Sequence, residues 1–353
     1  GNHNTAIGYE ALKLNVSGDG NTAIGYEALE SNTSHGNTAI GKQALRQNTG
    51  GGGNTAIGQN ALVWNTGGDY NVAIGSNALL NNTANSNTAI GTYALTSNVG
   101  GSSNTAIGYN AIRANTTGAR NTAIGQNAYD AADEEDDNLA IGYDALGGAI
   151  ISGGEKNIAI GNYSLDSNTS GNENIAIGYE ALQTNQTGEK NTAIGFAAMA
   201  NSAGDKNTAI GYKAMNINTG GTKNVAVGHV ALYNNTDGQK NTAIGYEALY
   251  SATGSGNTSL GHWSGYEAGA TAITSGSNNV IIGQNSNVDD GAAVNRIVIG
   301  QGATGLDDNT VTLGNGSITN WLPTDDSEVD LGSSSKEMKN IYVDGVAYLD
   351  AIG

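Results

Sequence analysis

A five-residue phrase, Asn-x-Ala-Ile-Gly and close variants, opens sixteen copies of a unit between Asn4 and Asn257. The copies follow one another at 16 or 17 residues, with one longer interval from 138 to 157. A chain that repeats at this period is an array of small structural units, each contacting its neighbours, and not a globule built around one core. The full unit reads roughly N-T-A-I-G-x-x-A-L-x-x-N-T-x-G-x-x. Its copies meet nearly the same environment, so their differences show what each position tolerates.

The second position is Thr in most copies but Val72, Leu139, Ile158, Ile175 and Val225 in others. Exchange of Thr for aliphatic residues suggests an inward-facing site. The Ile two residues on varies only to Val227 and Leu260, as expected if alternate side chains of a short strand share a buried face. On this reading Ile7, Ile24, Ile40, Ile57, Ile74, Ile90, Ile107 and Ile124 form a structural core. The intervening Ala yields only to Ser259, so a close neighbour is expected there. The glycine that ends the phrase (Gly8, Gly25, Gly41, Gly58 and onward) never varies, which calls for positive φ or a very close approach of backbones. Two variable residues follow, as at a solvent-facing corner. Then comes an Ala-Leu pair, one member expected inside its coil and the other at a second surface. A further Asn (Asn15, Asn32, Asn48, Asn65, Asn82 and later copies) should stack into an amide ladder.

The expected fold is all-β, a parallel β-solenoid of 16–17-residue coils. Nothing sustains a helical apolar period, and one proline among 54 glycines excludes collagen and proline-rich linkers. Coils this short enclose few apolar side chains, so an intertwined or side-by-side homotrimer about the Ile/Thr face is the expected remedy. Three segments follow: a solenoid over 1–262, a degenerate solenoid with longer loops over 263–322, and a β-rich segment over 323–353 after the single proline, Pro323.

The N-T-A-I-G-x-x-A-L unit resembles the head repeat of trimeric autotransporter adhesins, which form a trimeric left-handed β-roll. With its N-T-x-G extension it is also similar to repeats of bacteriophage tail-fibre-like proteins. The stretch from Asp330 to Gly345, with Leu331-Gly332-Ser333-Ser334-Ser335 and Lys339-Asn340-Ile341-Tyr342, resembles a segment near the ends of phage fibre proteins, often ahead of a trimerisation chaperone. No such chaperone follows, nor an autotransporter's stalk and membrane anchor, so a fragment or a processed chain is expected. The resemblances imply a structural fibre and attachment protein: an extracellular virion tail fibre with a host-recognition end or, alternatively, a trimeric adhesin or filament subunit on the bacterial cell surface. The implied partners are further copies of the chain and a cell-surface glycan or protein receptor.

The formal charge of −18 argues against nucleic acid as a partner, and no apolar run is long enough to insert into a membrane. Acidic runs offer candidate Ca²⁺ ligands at Asp136, Asp137, Asp289, Asp290, Asp307 and Asp308, although none matches a known calcium loop. No other cofactor is indicated. His3, His35, His229 and His262 fall in variable positions without metal-ligand spacing. Gly50–Gly53 lacks the Gly-Lys-Ser/Thr ending of a phosphate loop, so no catalytic residue is assigned. An aromatic column at the first corner position (Tyr9, Tyr26, Tyr109, Tyr143, Tyr179, Tyr212, Tyr246) and the irregular-region Trp263 and Trp321 are the candidate receptor contacts, with corner packing the bland explanation for the tyrosines. A flat Thr array also raises ice binding as a remote alternative.

Overall fold

The computed structural model describes residues 1–131, 133–148, 153–266 and 273–319. Every Thr-Ala-Ile phrase is a three-residue strand, and nineteen such strands stack in parallel into one sheet, from Thr5–Ile7 to Val311–Leu313. The register never slips: Ala6 lies over Ala23, Ala23 over Ala39, Ala39 over Ala56. The sheet runs through the longer 138–157 coil, where Ala140 pairs with Ala159. It continues past residue 262 through Val280–Ile282 and Ile297–Ile299. The chain is therefore a parallel β-solenoid with one coil per repeat. These coils belong to a compact unit spanning Gly1–Asn315. Trp321 and the 323–353 segment lie outside the described residues.

The invariant glycine satisfies both requirements that suggested it. Gly108 has φ +139°, and a Cβ placed there would lie 2.3 Å from the carbonyl oxygen of Gly125 in the next coil. A side chain is excluded by conformation and by contact at once. After the glycine the chain alternates into left-handed conformation at two non-glycine positions, as at Glu27 (φ +54°) and Leu29 (φ +48°). This wall is bonded from coil to coil as well: Glu27 N–H donates to Tyr9 O at 2.8 Å, and Leu29 N–H to Ala44 O at 3.0 Å.

The inside of the coil is built from other residues than the strand pattern suggested. After the first coil, Ala of the strand is fully buried, while Thr and Ile beside it face outward. Ile40, Ile57, Ile90 and Ile124 are 37–38% exposed, Ile7 in the first coil 59%, and Ile24, Ile74 and Ile107 half-buried. The expected isoleucine core is thus corrected: these eight side chains form a ridge on the outer face of the sheet. Among the sixteen regular copies the narrow coil keeps this inward residue small and Ala gives way only to Ser259, whereas the later coils bury Ile281 and Val298 at the same position. The Ser259 hydroxyl pairs with Ser264, which replaces the Ala of the Ala-Leu pair. The Ala-Leu pair needs correction too, because both members are buried in the coil, as with Ala28 and Leu29. Positive φ at alternate residues turns the chain so that neighbouring side chains point the same way, breaking the period of two that a strand would impose.

Two columns of buried Asn close the remaining corners. In the expected ladder, Asn48 Nδ2 donates to Asn32 Oδ1 at 2.8 Å and to Gly51 O at 2.6 Å, and Asn65 repeats the pattern on Asn48. The Asn that opens each repeat makes a second ladder. Asn54 Oδ1 accepts the N–H of Asn71 at 2.8 Å, and its Nδ2 donates to Gly68 O at 2.8 Å. These amides satisfy backbone groups that a bend would otherwise leave unpaired inside the rod. Where the column lacks Asn, the ladder pauses: Asn185 Oδ1 has no donor beneath Ser202. In the acidic coil Tyr129 takes the Leu position, and its phenol oxygen accepts from Asn138 Nδ2 at 2.7 Å. Burial pushes that phenol well above its ordinary pKa.

Candidate functional site

With the interior occupied by Ala, Leu and Asn, function is left to the outer columns. From Tyr179 onward the aromatic column is a continuous stack, whereas Tyr109 meets only Tyr93, edge to face. Tyr179, Phe196, Tyr212, His229, Tyr246 and His262 follow one another with ring centroids 4.9–5.4 Å apart and planes within 13° of parallel. Tyr163 and Tyr143 extend it by edge-to-face contacts, and Tyr9 and Tyr26 stack separately. The spacing follows from the coil rise, which matches aromatic stacking distance. Sugar recognition by an aromatic residue uses the ring face. Tyr179, Tyr212 and Tyr246 each have their faces covered by neighbours, so only edges and hydroxyls meet solvent. Corner packing accounts for them better than individual sugar platforms do.

The stack ends in a denser group. Trp263, 39% exposed, lies 4.4 Å from His262 and 6.3 Å from Tyr246 between ring centroids, with Tyr266 at 6.2 Å. Its indole Nε1 donates to Glu247 Oε2 at 3.1 Å. Glu247 also raises the pKa of the Tyr246 phenol, chiefly through a hydrogen bond. Tyr233, Tyr250 and Tyr266 form a second short stack reaching the same group. The site therefore joins exposed aromatic surface to an oriented carboxylate where the regular coils give way to longer loops. Sequence reasoning singled out Trp263 but not Glu247, Tyr250 or Tyr266. Counting one or two repeat lengths between these positions would have found them.

The candidate calcium ligands are engaged elsewhere. Arg120 pairs with Asp136 at 2.8 Å and Asp137 at 2.6 Å. Arg296, itself nearly buried, pairs with Asp289 at 2.5 Å and Asp308 at 2.9 Å. Asp290 Oδ1 accepts the N–H of Ala292, and Asp307 contributes its carbonyl oxygen to Thr310. Four of the six carboxylates, those of Asp136, Asp137, Asp289 and Asp308, thus face arginines, and the six do not converge into an oxygen cage. Among the described residues no three His, Asp or Glu side chains are grouped as metal ligands. His35 accepts the N–H of Asp19 through Nδ1, and His229 and His262 belong to the aromatic stack. Among the described residues no helix is long and apolar enough to cross a membrane. Comparison with protein-family models and with curated proteins finds no match.

Proposed function

We propose that this chain is the shaft of an extracellular attachment fibre, a phage tail fibre or related virion appendage, assembled from three parallel copies and carrying a receptor contact near Trp263. The observation that carries the reading is the outward Thr/Ile face. Nineteen strands at about 4.8 Å each give a continuous ridge roughly 85 Å long. At a width of roughly 10 Å it covers on the order of 800 Å², more than monomers usually expose in one apolar patch and about one partner's share of a stable interface. Three rods can turn this face to a common axis and close the assembly. A stiff shaft then holds several weak contacts in fixed positions, so that linked engagement outlasts any single one. A bacterial surface adhesin or filament subunit would use the same architecture, and the repeat resemblance supports it equally. No catalytic role is proposed.

Labelled protein added to a panel of Gram-negative and Gram-positive bacteria tests the attachment reading. Binding should disappear after periodate oxidation of surface glycans and weaken at least about tenfold in Trp263→Ala, the loss expected of an aromatic hot spot. Protein that decorates no cells, or a variant that binds like the wild type, contradicts it. The outward Thr column also favours a second reading, ice binding, since Thr5, Thr22, Thr38 and Thr55 stand in register on one flat face. Thermal hysteresis of the purified protein checks it, and zero activity ends it.

A further inference from the structure

The chain concentrates its few cations in one place. Of its 14 Lys and Arg residues, six (Arg120, Lys156, Lys190, Lys206, Lys223 and Lys240) occupy the same repeat position, directly before the opening Asn. Four of these, Lys190, Lys206, Lys223 and Lys240, fall in consecutive coils. All four are exposed and share one left-handed backbone conformation, with φ between +58° and +60°. Each is locked to the coil before it: Lys206 N–H donates to Glu189 O at 2.9 Å, Lys223 to Asp205 O at 3.1 Å, and Lys240 to Thr222 O at 3.0 Å. The backbone positions that bear the four ammonium groups therefore rise along the rod at about the strand spacing, ~4.8 Å.

Their own chain neutralises this column only at its start. Lys190 sits 3.6 Å from Glu189, but Lys206, Lys223 and Lys240 make no ion pair with any described residue. The flanking column reads Glu189, Asp205, Thr222 and Gln239, so it loses its acids toward Lys240. Asp205 is turned to the backbone, accepting the N–H of Glu189 at 3.0 Å. Glu173 holds the column's position one coil before Lys190, and Asp237, on the turn of Lys240's coil, is a further acid nearby in sequence. On the other side stand the outward Thr192, Thr208, Val225 and Thr242, all uncharged. Stacking like charges in register opposes folding, so an external counter-charge of matching period would relieve the column.

We propose that Lys190, Lys206, Lys223 and Lys240 form a docking line for a linear acidic polysaccharide bearing one carboxylate per sugar. Such a polymer can lie along the rod, and ammonium groups spaced near the coil rise of ~4.8 Å can meet the carboxylates on its near side. Ammonium groups on flexible stems suit this task, since each acts as a point charge. A rod with a charge of −18 repels polyanions in general, and the uncompensated lysines along this line offset that repulsion locally. The inference is independent of the fibre reading and of Trp263.

The test is titration of the purified chain with polygalacturonate, with its methyl-esterified form and single-stranded DNA as comparison probes. The K190Q/K206Q/K223Q/K240Q variant is measured beside K13Q/K42Q/R113Q/K213Q, which removes the same charge from other columns. Other coils place uncharged residues such as Tyr70 and Ser86 at the column's position, so the variant is expected to fold, and circular dichroism checks that it does. Polygalacturonate should bind the wild type, weaken at least tenfold in the column variant and stay within about twofold in the control, with affinity falling steeply as salt rises. Absence of binding at low salt, equal loss in both variants, equal binding of the esterified polymer, or DNA binding as tight as polygalacturonate would each overturn the proposal.

Discussion

Asn98 shows how much of this molecule rests on single amides. Its Nδ2 donates to Asn82 Oδ1 at 2.6 Å and to Gly101 O at 2.8 Å, and its Oδ1 accepts from Asn115 Nδ2 at 2.6 Å. Truncation leaves polar groups of three coils short of a partner inside the rod. Asn98→Ala should cost about 1–3 kcal/mol, the usual penalty for orphaned buried groups. Asn81→Ala, on an exposed side chain, should stay within about 0.5 kcal/mol. Urea unfolding followed by circular dichroism compares the two, and equal midpoints would contradict the ladder's role. These amides were legible in the sequence, as were the invariant glycines, because each has one chemical reason to persist. The left-handed residues were not. Glu10, Leu12, Glu27 and Leu29 have nothing in their side chains that announces positive φ, and it is imposed by the stack around them.

Strand and coil are the scale at which the pattern misled. In a three-residue strand one face carries two side chains and the other carries one, and exchange of Thr with Val or Ile suits either side. Width decides between them: in the regular coils the strand turns its single Ala inward, so Thr and Ile go outside, and only the later coils take Ile281 and Val298 at that place. The acidic runs misled for a related reason. Asp137 and Arg120 are 17 residues apart, distant along the chain but adjacent in the stack, and the same repeat arithmetic would have paired them in advance. Element packing also sets the response to pH. The Val294 N–H first, and then Arg296, hold Asp308 below the usual carboxylate range. Its contribution is therefore present above the unfolded pKa, about 3.9, and is lost as pH falls through the lower folded value. Asp166 is the opposite case, raised by burial and then by Asp144 and Asp130, so the fold loses stability as pH rises from the unfolded pKa through the folded one. Asp308→Asn should weaken amide protection around Ile297–Ile299 at neutral pH, and Asp166→Asn should strengthen it in its own coil. Hydrogen exchange at pH 7 and pH 3 reads both, and shifts of the same sign would contradict the assignment.

At the scale of the whole molecule, the coil interior is closed while one outer face stays apolar along its length. The β-solenoid could be read from the repeat alone, because the period fixes coil length and register together. Association about the Thr/Ile face is expected from how little a short coil encloses, but the sequence pattern also places that face inside its own coil, and only the burial of Ala makes it an exposed ridge. That ridge is the central claim. Sedimentation velocity combined with light scattering on the purified chain tests it most directly. The account predicts an elongated particle of three 35.6 kDa chains, about 107 kDa, as for a closed three-fold assembly. A particle of two chains would keep the interface but refute three-fold closure. A stable monomer of 35.6 kDa would contradict the claim outright.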